Sequence, residues 1–216
     1  FSVDSSRTIL HESHSDYINA SHINSFAKPR FFIAAQGPKE NTEEDFWNLI
    51  LQENVDIIVM LTACTENGQE KCSQYWPRSL TGAGSDIGNY SIQTANEEIT
   101  PLFVVRVFEV TNRRDGHKRL IRQFQFSAWP DFGTPYKEEY LLRLLFCVKQ
   151  NLSTNRLQNK ILVHCSAGVG RTGTFICLWN IIEEIESGIE SVSISKEVLE
   201  LRKQRTQMVH SKYIAK

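Results

Sequence analysis

The chain has 216 residues, 41% of them apolar, with 24 basic and 25 acidic side chains that leave a formal net charge of -1. That length suits one domain with a sizeable core, and no Pro/Gly/Ser-rich linker or shift of composition divides it into two. Balanced charge excludes nucleic-acid or anionic-membrane binding through bulk electrostatics, so any anion site has to be local.

Residues 16–21, DYINAS, alternate polar and apolar positions like an edge strand, with Tyr17 and Asn19 expected to be structural. FFIAAQ (31–36), VDIIVML (55–61) and ILVH (161–164) are short, apolar and β-branched or aromatic, the pattern of strands buried on both faces. A helix is expected over 42–54, where Thr42 and Asp45 have capping-box spacing. LFVVRVFEV (102–110) and HKRLIRQFQF (117–126) form an antiparallel pair across Asp115-Gly116, which supplies the positive φ of a tight turn. Further helices are expected over 136–152, over 171–188 with Gly188 as its C-cap, and over 195–205. The fold class is therefore mixed α/β: one domain, a twisted mixed β-sheet flanked by helices, and a phosphate-binding loop between a central strand and a helix.

Cys64, Cys72, Cys147, Cys165 and Cys177 are odd in number and contain no C-x-x-C pair, which points to a reducing compartment rather than to zinc or a disulfide framework. There is no signal-peptide core, no apolar run of membrane-spanning length and no lipidation box, so a cytoplasmic location without membrane insertion is expected.

The chemistry concentrates in ILVHCSAGVGRTGTF (161–175). The order strand, Gly-rich turn, helix gathers the backbone N–H groups of Ser166, Ala167, Gly168, Val169, Gly170 and Arg171 around one point at a helix N-terminus, an anion cradle. The same positive potential, with Arg171 beside it, favours thiolate over thiol at Cys165. A thiolate under a phosphate cradle implies in-line attack on phosphorus to give a cysteinyl-phosphate, with the Arg171 fork on two equatorial oxygens. A cysteine after an apolar run is more often a small buried hydrophobe, but cysteine, five residues and arginine in this context overturn that prior. The glycines alone could make a tight turn, and no Gly-Lys-Ser/Thr ending is present, which excludes a nucleotide kinase loop.

HCSAGVGRTGTF closely resembles the signature loop of the tyrosine-specific protein tyrosine phosphatases, and DYINAS, QGP (36–38), DFW (45–47), VML (59–61), KCSQYWP (71–77), WPDFG (129–133) and LRKQR (201–205) resemble that family's other landmarks in its order. The resemblance implies a catalytic domain over 1–216 and hydrolysis of phosphotyrosine in proteins. It implies no cofactor and no metal, and tyrosine-phosphorylated proteins as partners with no nucleic acid; it sets no oligomeric state. Asp131, in the bounded loop of Trp129, Pro130, Gly133 and Pro135, would be the acid and then the base, on a loop that closes over the phosphate. His164 would support the thiolate, and the Thr172 hydroxyl would ease departure of the sulfur. Glu66 would hold the Arg171 guanidinium and Lys71 would meet the acid loop, although both residues also read as a solvated charged turn.

Two departures stand out. The family's loop whose Tyr stacks on the substrate phenyl has no counterpart in 1–216, so it either precedes residue 1 or is lacking, with less selective phosphotyrosine binding, and the family's C-terminal end has no counterpart either. Where the family places a glutamine that positions water, this chain has His210, and Ile214 takes the place of a second glutamine. Slow turnover by a phosphotyrosine-binding, substrate-trapping module is thus an alternative. Phosphatase action on RNA 5′ ends or phosphoinositides is a weaker one, because SAGVG lacks the added basic residues of such loops.

Overall fold

The computed structural model describes residues 3–11, 13, 15–78, 84–129, 137–152 and 160–210. In chain order these form β1 (Arg7–Ile9), β2 (Tyr17–Ile23), β3 (Phe32–Gln36), α1 (Glu43–Gln52), β4 (Val55–Met60), β5 (Thr65–Glu66), β6 (Gln69–Glu70), β7 (Ser85–Ile87), β8 (Tyr90–Ile99), β9 (Val104–Asn112), β10 (Lys118–Gln125), α2 (Glu138–Gln150), β11 (Lys160–Cys165), α3 (Gly170–Glu186) and α4 (Ile194–Gln204). Nine strands make one mixed sheet in the order β1-β2-β3-β11-β4-β10-β9-β8-β7, and β5 pairs with β6 in a separate hairpin. β11 runs parallel between β3 and β4, and β4 runs parallel to β10. The three runs read as doubly buried strands are thus the sheet centre, as continuous apolar runs require.

Side-chain alternation along β11 divides the interior. Ile161, Val163 and Cys165 face the cluster built with α2, α3 and α4, whereas Leu162 joins the cluster under α1. His164 follows Leu162 and meets Phe46 of α1 and Tyr75. The nucleophile candidate and the histidine before it therefore project into different layers.

The antiparallel pair is β9–β10, with Thr111 opposite Lys118 and Gly116 at φ +73° in the turn. α3 starts one residue earlier than expected, at Gly170, and Gly188 follows its C-cap at φ +89°. α4 is capped by Ser193, whose Oγ accepts from the Lys196 N–H. Helix α2 begins at Glu138; Tyr136, where the expected helix started, lies outside the described residues.

Three expectations need correction. DYINAS is not at the edge, because β1 pairs outside β2. Thr42 forms no capping box with Asp45: its hydroxyl accepts from Lys39 N–H and so closes the preceding turn, while Asp45 accepts from Ser13. Residues 65–70 are a hairpin rather than an open charged turn, because the pairs Thr65–Glu70 and Glu66–Gln69 close around Asn67 and Gly68, both at positive φ.

Candidate active site

The loop 165–170 links β11 to α3, and its shape is fixed from behind. Gly168 sits at φ +71°, and a Cβ there would lie 2.1 Å from the Ala35 carbonyl oxygen, so only glycine lets the loop rest on β3. Behind it lies Arg205, fully buried just past α4. Its Nε donates to the Gly168 carbonyl at 2.8 Å, and Nη2 reaches the Ala167 carbonyl at 3.4 Å. Nη1 and Nη2 also hold Ser21 Oγ at 3.1 Å and Asn19 Oδ1 at 2.9 Å on β2.

In a trans peptide the C=O and N–H point opposite ways, so two carbonyls drawn back to Arg205 turn the N–H groups of Gly168 and Val169 forward. The Gly168 N–H accordingly points at Cys165 Sγ, at 3.3 Å. No carboxylate lies within ion-pair distance of Arg205 among the described residues, and burial pulls its pKa to about 10, with Cys165 and Tyr17 acting the other way. It remains a cation at neutral pH, with the Cys165 sulfur on the far side of the loop it holds.

Arg171 opens α3 and is buried. Glu66 accepts its two Nη groups at 2.6 and 2.8 Å, and Nη1 also donates to the Leu61 carbonyl at 3.1 Å. Hairpin β5–β6 aims Glu66 inward, and Thr62 Oγ1 donates to its Oε1 at 2.9 Å. Burial pushes the Glu66 carboxyl up, but the Arg171 fork and the Thr62 hydroxyl outweigh it and hold it below its ordinary value. A depressed carboxylate contributes stability that is fully present above the unfolded value near 4.5 and is lost as pH falls through the folded one. Glu66→Gln removes that acid-sensitive part: we expect a lower melting temperature at pH 7 than the parent, and a smaller drop between pH 6 and pH 3.5, read by thermal melts. Equal drops in both proteins would contradict it.

His164 is fully buried and has its pKa lowered to about 4 by burial, so the ring is neutral. Its Nδ1 lies 3.2 Å from the Cys165 carbonyl oxygen and Nε2 lies 2.9 Å from Tyr75 Oη. Thr172 is fully buried, and its Oγ1 has no hydrogen-bond partner among the described residues, so no bond to Cys165 is formed. Ser166 and Ala167 rim the loop next to a cavity of about 730 Å³, which Lys71 and Cys72 also line. His210 is exposed, with its Cβ near Gly170 at the helix start. Trp129 is buried in the α2–α4 core. Asp131 lies outside the described residues, as do Pro130, Gly133 and Pro135.

The structure thus brings Cys165, Arg171, Glu66 and His164 to one end of β11. Sequence reasoning missed Arg205, Tyr75 and Gln123 as parts of this site. Arg205 reads there as the polar end of an amphipathic helix, because nothing local marks an arginine that turns inward without an acid. Among the described residues no group of three or more His, Cys, Asp or Glu is placed to hold a metal ion, and no helix is long and apolar enough to cross a membrane.

A family model described as protein-tyrosine phosphatase matches residues 1–214. Receptor-type tyrosine-protein phosphatase eta of Gallus gallus is 41% identical over 196 residues, which cover 91% of this chain and 14% of that protein. Tyrosine-protein phosphatase non-receptor type 20 of Rattus norvegicus is 38% identical over 211 residues, 97% of this chain and 48% of that protein. Receptor-type tyrosine-protein phosphatase C of Homo sapiens is 38% identical over 196 residues, 90% of this chain and 15% of that protein. The chain spans about half the length of the non-receptor relative and a much smaller share of the receptor-type ones.

Proposed function

Because this chain belongs to the protein-tyrosine phosphatase family, we propose that residues 1–216 are a catalytic domain that hydrolyses phosphotyrosine in proteins through a cysteinyl-phosphate on Cys165. One observation carries the reading: a cysteine sulfur faces the Gly168 N–H in a glycine loop, and the arginine of that loop is held in plane by Glu66.

The Cys165 thiolate attacks phosphorus in line and the bond to the tyrosyl oxygen breaks. Asp131 protonates the departing phenolate, a step typically worth 10²–10⁴-fold. The loop N–H groups and Arg171 stabilise the charge that spreads over the equatorial oxygens. Water, deprotonated by the Asp131 carboxylate, then attacks phosphorus; the S–P bond breaks, phosphate leaves and the thiolate returns. The unpartnered Thr172 hydroxyl suits a donor reserved for that leaving sulfur. Lys71 meets the acid loop over the substrate, and His164 supports the nucleophile from the other layer. The domain acts in the cytoplasm, in signalling by tyrosine phosphorylation; free thiols at all five cysteines suit that compartment.

The reading is tested by rapid-quench hydrolysis of a phosphotyrosyl peptide with intact-mass detection. Phosphate appearing on Cys165 supports it, and no hydrolysis and no phosphoenzyme would overturn it. The substrate-trapping alternative is favoured by His210, whose exposed imidazole stands where a water-positioning glutamine is expected. If water attack limits the cycle, phosphoenzyme accumulates in a stoichiometric burst and His210→Gln raises the steady-state rate. No burst with an unchanged rate would mean that the histidine does the glutamine's work.

A further inference from the structure

A chain of hydrogen bonds runs from Arg106 on β9 to the backbone of Cys165. Arg106 Nη1 donates to Gln123 Oε1 at 2.9 Å, across the β9–β10 register pair that these two residues form. Gln123 Nε2 donates to Tyr75 Oη at 2.8 Å. Tyr75 Oη lies 2.9 Å from His164 Nε2, and His164 Nδ1 lies 3.2 Å from the Cys165 carbonyl. Gln123, Tyr75 and His164 are each fully buried, so water does not exchange into the chain. The mostly buried Arg106 is itself fixed by Glu97 at 2.5 Å, by Gln125 Oε1 at 2.7 Å and by stacking 4.8 Å over Trp76.

Both ends dictate direction. A guanidinium only donates, so Gln123 presents its oxygen to Arg106 and its NH₂ to Tyr75. The Tyr75 oxygen accepts that proton and its own O–H is left for His164; burial keeps that phenol protonated, far above its ordinary pKa. At the other end a carbonyl only accepts, so Nδ1 of the neutral His164 carries the proton and Nε2 is the acceptor. Every link satisfies its neighbours in one direction only. Had the Gln123 amide been turned round, Tyr75 would donate to it, Nε2 would lack a donor, and a bare Nδ1 would face the Cys165 carbonyl.

We propose that Arg106 and Gln123 are positioning residues for the nucleophile, which set the polarity of the Gln123–Tyr75–His164 chain and thereby hold the His164 Nδ1–H on the Cys165 carbonyl. The proposal rests on the phosphatase reading for its kinetic consequence but not for its geometry. Neither residue touches the substrate. Gln123 lies on the second strand from β11 and Arg106 on the third, and the hydrogen-bond chain crosses β4 beside Met60, whose sulfur lies 3.7 Å from Gln123 Nε2 and 3.8 Å from Tyr75 Oη.

Gln123→Glu tests it without a change of shape. A carboxylate has only acceptors, pairs well with Arg106 and takes the Tyr75 proton, which reverses the chain. In ¹⁵N-labelled protein the histidine side-chain spectrum should give His164 protonated on Nδ1 in the parent and on Nε2 in Gln123→Glu. With the melting temperature held, alkylation of Cys165 at pH 6 should slow and kcat/KM for a phosphotyrosyl peptide should fall about tenfold, less than the ~10²-fold cost of a 1 Å misplacement. Should Gln123→Glu fail to fold, Arg106→Lys keeps a donor-only end and should retain Nδ1–H, whereas Arg106→Gln should lose it. A parent with Nε2–H, or a Gln123→Glu variant with parental tautomer and kinetics, overturns the proposal. The tautomer is readable without turnover, so a parent with Nδ1–H but no phosphatase activity rejects the function and leaves the chain standing.

Discussion

Cys165→Ser is expected to lower turnover of a phosphotyrosyl peptide by about 10⁴- to 10⁶-fold while leaving the fold and the affinity for the peptide nearly intact. Removal of a nucleophile costs up to ~10⁶-fold in kcat where serine is activated by a neighbouring base. Here a serine hydroxyl would have no such base. His164 projects into the other layer, is neutral, and has its Nδ1 engaged on the Cys165 carbonyl. The weakly acidic hydroxyl would therefore attack as itself, a far poorer nucleophile than the cysteine sulfur it replaces. The smaller oxygen still accepts the Gly168 N–H, and the Glu66-clamped Arg171 still faces the phosphate, so binding persists. Steady-state kinetics, intact mass and calorimetric titration check this together. Activity within a hundredfold of the parent would mean that another group attacks phosphorus.

The second large effect concerns the floor of the site. Gly168→Ala should cost about 2–5 kcal/mol of stability and at least ~10²-fold in kcat/KM. A non-glycine residue in the left-handed region costs about 1–2 kcal/mol, and overpacking adds about 1–3. The clash is with backbone: the new Cβ would lie 2.1 Å from the Ala35 oxygen and 2.7 Å from the Gln36 nitrogen. β3 is paired on both sides, so the loop has to rise instead, and a displacement of 1 Å accounts for the kinetic loss. Gly116→Ala is the matched control. Gly116 has φ +73° but nothing within 4 Å of its added Cβ, so about 1–2 kcal/mol and full activity are expected. Urea denaturation of both variants separates conformational strain from the close approach; equal losses would remove the contact with β3 from the argument.

Much of the sheet was legible because burial on both faces leaves a continuous apolar run, which is how β3, β4 and β11 stand out. β7 and β8 were not, since β8 (YSIQTANEEI) carries Glu97 and Glu98 and is largely uncovered beyond Ile92, so its residues are chosen for solvent and cross-strand pairing. Within the site, Cys165 and Arg171 were legible because one turn brings them together. Glu66 was reached through family resemblance, for its partner is 105 residues away. The Arg205 contacts to Gly168 and Asn19 span 37 and 186 residues, and no local pattern encodes them. Tyr75 and Gln123 were hidden for another reason: an aromatic in QYW reads as core, which it is, and its hydroxyl partner becomes visible only when β10 and β11 are placed.

The strand order also governs when the site comes into being. β11 docks between two strands made more than 100 residues before it, and Arg205, which turns the loop amides forward, is made later still. During synthesis the first two thirds of the chain can pair β9 with β10 locally, but the slot between β3 and β4 stays empty, with both flanking edges unpaired and apolar. Unpaired apolar edges of that kind are templates for pairing with other chains. The loop after β11 therefore gains its buried backing from Arg205 only once α4 has been made.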